Sequence, residues 1–177
     1  MDKIKKIILM AIFIALQVVL ARFLSIRTPI LTIGFSYIPL MLSAIIMGPK
    51  YSTLIAFISD LIGAILFPSG PFFIGYTISS TLTGLVYGLL LYQKDEFKVN
   101  KKFIIKLIIS VFIVNIFING ILNTYWIMIT TNKAVNFFAP IRFIKQLIML
   151  PIKVISILII SKKLTNKIEE LRYDNIK

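Results

Sequence analysis

Asp60 is the residue around which chemistry is most readily built, because it is the only carboxylate within the long apolar runs of the chain, nine residues from Tyr51 and seven from Phe67. With a helical rise of about 1.5 Å per residue, that position is roughly mid-membrane. An ionised group there costs roughly 2.5 to 3.5 kcal/mol on insertion scales, so it needs a partner or a ligand. One reading has Asp60 accepting hydrogen bonds from an adjacent pair of N–H donors, such as an amino-pyrimidinone edge presents. The other is structural, an ion pair with Lys153, which lies at similar depth in the last apolar run, or with Lys145. Lys153 has a third option, snorkelling to the inner surface. Arg142 and Lys145 are three apart and share a helix face directly after a helix-starting Pro140. Such a pair suits an anionic group, with the Arg fork matched to a carboxylate, or else it snorkels at the outer interface.

Flat and amide-bearing side chains surround these charges in the sequence. Phe72, Phe73, Tyr76, Tyr125 and Trp126 fall near the outer ends of apolar runs, where aromatic residues form interface belts or else flat walls for a planar heterocycle. Asn119 and Asn123 are four apart on one helix face and would add amide donors and acceptors beside them. Ala11 and Ala15 have small-xxx-small spacing on the first apolar run. That spacing serves either a close-packed internal contact or the approach of another helix in lipid.

Much chemistry is excluded. The chain has no Cys and no His, which removes disulfides, thiolate nucleophiles, Cys/His metal sites and imidazole acid–base catalysis. It has no Walker A pattern, no carboxylate cluster suited to a metal-dependent transferase, no Arg-rich voltage sensor, no filter-like loop and no internal repeat. Most enzyme classes go with them.

The elements that must position these residues follow from composition. Of 177 residues, 58% are hydrophobic and 15% charged, with a mean hydropathy of +0.93, which places the chain among integral membrane proteins. Apolar runs separated by charged or Pro/Gly-marked breaks predict six spans, at 7–24, 35–48, 51–67, 72–92, 103–131 and 140–161, within one membrane domain over 1–177. Gly48, Pro49 and Lys50 break the second run from the third as a tight helical hairpin. No A-x-A cleavage pattern follows the first run, which reads as a retained helix. Basic residues set the orientation. With the N-terminus in the cytoplasm, 14 of the 20 Lys and Arg residues fall inside, so the net charge of +13 reads as topology and both termini as cytoplasmic.

The run from Ser59 through Asp60 and Gly63 to Phe67-Pro68-Ser69-Gly70-Pro71-Phe72-Phe73 closely resembles the third-helix end and following turn of folate-family S components of energy-coupling factor (ECF) transporters. The resemblance continues through Arg22 to Pro29, Ile33 to Pro39 with Phe35, Leu122 to Trp126, and Pro140 to Lys145, and it covers nearly the whole chain. It implies an all-α, six-helix S-component-like bundle in the plasma membrane. Such a subunit captures a vitamin outside and docks on a T subunit with two ATPases, and is itself a binding subunit without a cofactor, not an enzyme. It further implies that Ala11 and Ala15 meet the T subunit, that the linker from Ser25 to Gly34 gates the site, and that Arg27, Phe35 and Gly70 belong to the site. Folate suits the residues: its glutamate tail matches Arg142, Lys145 and Arg27, its pterin face Trp126 or Tyr76, and its amino-pyrimidinone edge Asp60. An S component for a queuosine precursor or thiamin, or a self-sufficient small transporter, are the alternatives.

Overall fold

The computed structural model describes residues 3–27, 32–68, 72–94, 96–131 and 135–173. Helix α1 runs over Lys3–Arg22 and leads into two short antiparallel strands, β1 (Ser25–Arg27) and β2 (Thr32–Gly34), with Ser25 opposite Gly34 and Ile26 opposite Ile33. These are the two strands among the described residues of an otherwise helical chain, and Pro29 of the expected hinged linker lies outside the described residues. Backbone polar groups near a membrane must find partners, and strand pairing supplies them where a bare loop does not.

Helices α2 (Tyr37–Met47) and α3 (Pro49–Leu66) follow. Gly48 alone forms the break, with φ of +81°, a left-handed conformation that favours glycine. Pro49 then opens α3 as its first residue, and Lys50 is already helical. Helix α4 spans Ile74–Leu91. It lies unusually close to α3, because Gly84 and Gly88 face it: a Cβ on Gly84 would sit 2.5 Å from the Ser52 carbonyl oxygen, and one on Gly88 would overlap the Pro49 backbone. The Ser52 hydroxyl crosses this interface to the Gly84 carbonyl at 2.8 Å. Small residues permit such approach in lipid, where hydrophobic driving force between helices is absent.

The expected run at 103–131 is one continuous rod with a change of winding in its middle. Helix α5 (Lys101–Ile113) begins at Asn100, whose side chain accepts the Phe103 N–H at 2.8 Å. A π-helical segment (Val114–Leu122) follows, and then α6 (Asn123–Thr131). Helix α7 covers Val135–Lys163 with Pro140 and Pro151 inside it. Pro140 thus does not start the helix, contrary to the expectation; at the sixth position it forfeits a single backbone bond, which the long helix tolerates. A further helix, α8 (Thr165–Tyr173), follows the last apolar run.

Among the described residues, five helices have the length and apolar character to cross a bilayer, while α2 has 11 residues, about 16 Å of rise against roughly 30 Å of hydrocarbon. Nine of those residues are buried, and Met41, Ala44 and Ile45, with no exposed surface, belong to one core cluster with Ile55, Leu91, Val111 and Ile157 of four other helices. The outer faces carry exposed Ile8, Leu89, Ile109, Leu147 and Ile155, a surface suited to acyl chains.

Candidate binding site

One set of polar contacts joins the end of α1 to α3 and α4, and a second joins α4, α6 and α7. Asp60 accepts a hydrogen bond from the Thr77 hydroxyl of α4 at 2.7 Å. Lys153, offered above as its partner, instead donates to the Asn115 side-chain oxygen at 2.7 Å and lies over the Tyr37 ring, 5.5 Å from its centre. The cation whose field Asp60 shares is Arg22. The absence of a side chain at Gly63, one turn from Asp60, makes room for it: a Cβ there would stand 2.6 Å from the Arg22 Nε. Arg22 also donates to the Phe67 carbonyl at 3.1 Å, and the Phe23 ring meets Phe67 edge-on at 5.1 Å. The end of α1, just before the hairpin, is thereby fastened to the end of α3.

Arg142 is only 9% exposed. Its Nε donates to the Thr124 hydroxyl at 3.0 Å and its Nη2 to the Asn119 carbonyl at 3.3 Å. The π-helical winding explains the second bond. The Asn123 N–H goes to the Ile118 carbonyl, five residues back, so the Asn119 carbonyl is released from the α-helical pairing it would otherwise make and is available to a side-chain donor. Lys145 is half-buried within electrostatic range of Arg142.

The aromatic wall is built around Trp126. Its Nε1 donates to the Ser79 hydroxyl at 3.0 Å, and Phe73 and Tyr125 stand 5.5 and 5.2 Å from it, tilted. Gly75 faces the indole, where a Cβ would come within 2.7 Å of the ring. Tyr76 contacts Phe73 edge-on at 5.9 Å, and its hydroxyl lies 3.5 Å from that of Thr130. Tyr76 is also in electrostatic range of Arg142, linking the aromatic and cationic halves. Asn123 donates to the Asn119 side-chain oxygen at 3.1 Å, while its own Oδ1 is buried with no hydrogen-bond partner among the described residues. An orphaned buried acceptor costs free energy, so it marks a place for a donor from outside the chain.

The sequence-derived candidates fall into two groups of contacts, Asp60 with Arg22 and Thr77, and Tyr76, Asn119, Asn123, Trp126, Arg142 and Lys145 about α6 and the first half of α7. Phe35 is exposed, its ring 6.4 Å from that of Tyr37. Arg27 ends β1, and Gly70 lies outside the described residues. Ala11 and Ala15 are exposed on α1, away from both groups. Thr77, Ser79, Thr124 and Arg22 were not anticipated as site residues. Hydroxyl side chains within apolar helices are the signal that could have found the first three.

A bundle of apolar helices that gathers cations, amides and aromatic faces at one end belongs to the class of membrane-embedded proteins that hold small molecules. Comparison with known proteins narrows the class. The sequence matches the family model described as ECF-type riboflavin transporter, S component, over residues 1–170, and the chain belongs to this family of ECF transporter S components. It is 38% identical over 157 residues to the folate transporter FolT of Clostridium novyi (strain NT), covering 89% of this chain and 88% of the relative. It is 33% identical over 156 residues to FolT of Leuconostoc mesenteroides subsp. mesenteroides, covering 85% and 80%. A solved structure of FolT bound with folic acid superposes with a TM-score of 0.76 at 34% identity, covering 86% of this chain and 88% of the other.

Proposed function

We propose that this chain is the folate-binding S component of an ECF-type importer. It captures the vitamin on the outer side of the plasma membrane and delivers it through a T subunit and two ATPases. The observation that carries the reading is the buried Arg142, whose guanidinium is fixed in place by Thr124 and the Asn119 carbonyl. A positioned guanidinium fork beside Lys145 selects a carboxylate, and folate has carboxylates where riboflavin has none. Relatives named for folate, at 38% and 33% identity, support the same choice. Trp126 and Tyr76 supply flat faces for the pterin, and Asp60 and Asn123 acceptors for its N–H edge. Arg27, Phe35 and Gly70 complete the site from the hairpin and the α3–α4 turn. Both termini lie in the cytoplasm, a placement the distribution of Lys and Arg supports, and the site faces the outside. The whole chain acts as one membrane domain, with Ala11 and Ala15 on the face that meets the T subunit.

The test is calorimetric titration of the detergent-purified chain with folate, 5-formyl-tetrahydrofolate, thiamin, riboflavin and a queuosine precursor. Binding of the folates alone is expected. Binding of riboflavin or thiamin in their place overturns the substrate assignment, and uptake by cells lacking T and ATPase subunits overturns the S-component role.

A further inference from the structure

Helices α5 and α7 pack side by side, and the hydrogen bonds between the two rods fix their register. Arg142 meets the neighbouring rod at Thr124 and Asn119, while further along α7 the Gln146 carbonyl and the Lys153 ammonium both meet Asn115. The rods therefore run antiparallel, with Asn115 level with a point midway between Gln146 and Lys153. From that level, Lys101 and Lys102 lie 14 and 13 residues back along α5, and Lys162 and Lys163 about as many residues on along α7. Both intervals come to about 20 Å. Four lysines thus stand at one height, on two helix ends about 8 to 10 Å apart. An independent contact agrees: Arg172 of α8 reaches the Gln93 and Lys94 carbonyls, so the chain after α7 meets the chain before α5 at this end.

All four lysines are exposed. Flanking charges are matched, Glu96 with Lys98 and Glu170 with Lys167, whereas among the described residues no carboxylate pairs with Lys101, Lys102, Lys162 or Lys163. Lys101 and Lys102 also occupy a first helical turn that has no acidic residue, where backbone N–H groups already make the surroundings positive. Toward the middle of the bundle the surface beside them is apolar. Lys101 starts a face of α5 that continues at helical spacing through Ile105, Ile108 and Phe112, each at least 43% exposed. Lys162 ends a face of α7 that runs back through Ile159, Ile155 and Ile152, each at least 42% exposed. A soluble acidic partner would use only the lysines. A phospholipid uses both parts, its phosphate at the ammonium groups and its acyl chains along the apolar faces.

We propose that the α5–α7 seam binds an anionic phospholipid, with the headgroup phosphate among Lys101, Lys102, Lys162 and Lys163. This site is separate from the one proposed for folate and stands whichever ligand that one holds. The experiment is native mass spectrometry of the detergent-purified chain with phosphatidylglycerol, with phosphatidylcholine of the same acyl chains, or with inorganic phosphate. Wild type should retain one phosphatidylglycerol at about 10-fold lower concentration than phosphatidylcholine. Near an anionic lipid surface each lysine contributes about 5-fold, so the variant K101Q/K102Q/K162Q/K163Q should lose that preference. The variant K3Q/K5Q/K6Q/K50Q, with the same charge removed from α1 and α3, should keep it within about 3-fold. Equal loss in both variants makes the attraction one of bulk charge and overturns the site, as does a wild type that does not distinguish the two lipids. Retention of inorganic phosphate in the lipid's place overturns the lipid. A seam variant that keeps its lipid but no longer co-purifies with T and ATPase subunits gives the surface to a protein partner, and also overturns it. If the fourfold seam variant does not melt cooperatively, K101Q/K102Q and K162Q/K163Q are measured separately. Each should then lose about 5-fold or more, and unchanged binding in both overturns the proposal.

Discussion

At the scale of single residues, the site depends on polar groups fixed before any ligand arrives. Arg142 is held by a hydroxyl and a released carbonyl, so its fork is in place without reorganisation at binding. Arg142→Ala should weaken folate by about 10- to 100-fold, the range of a lost charge-assisted hydrogen bond, and should weaken a neutral pterin analogue far less. Titration calorimetry on both ligands checks this. Asp60→Asn has the opposite selectivity: the amide replaces one acceptor oxygen by a donor facing the N–H edge, so folate and the neutral pterin should lose affinity alike, by about 10-fold. The types and spacing of Asp60, Arg142, Lys145 and Trp126 made them legible as candidates for the proposed site. Their partners were not. Thr77, Ser79 and Thr124 look like ordinary hydroxyl residues of apolar helices, and Asp60 was matched to Lys153 by depth alone, whereas the structure places Arg22 and Thr77 beside it. Depth along a helix axis is readable from residue counts, but the rotation of one helix against another is set by packing.

Elements carry the next layer. Helix positions were legible because apolar runs in lipid have a required length; six spans were expected, five helices among the described residues have the length to cross, and the second run is an 11-residue helix. The short strands of the hairpin and the π-helical winding were not legible, since neither leaves a periodic apolar signal over so few residues. The winding matters because it sets the angle at which α6 presents Thr124 and Trp126. Gly75 is the matching device on α4, leaving space for the indole. Gly75→Val should push the ring off Ser79 and lower folate affinity. The chain has one tryptophan, so its fluorescence reports this site directly, and the variant should show a shifted emission maximum and reduced quenching by folate.

For the whole molecule, α1 is the least embedded of the five long helices, and Ala11 and Ala15 lie on its exposed side. Ala11→Trp should leave folate binding by the isolated chain unchanged and abolish uptake in cells that contain the T and ATPase subunits; lost binding would mean that this face packs internally. The opposite end of the bundle is closed by α8. Arg172 caps the Gln93 carbonyl and lies 4.8 Å from the Tyr92 ring centre, and Ile168 is 1% exposed within the core. Ile168→Ala should cost about 2 to 5 kcal/mol and lower Tm, read from a thermal melt, while a chain that remains folded keeps its folate affinity. The same arrangement orders biosynthesis. Ile168 and Arg172 come after every helix that bears the proposed site, so the contacts that close this end are the last of the bundle to be synthesised.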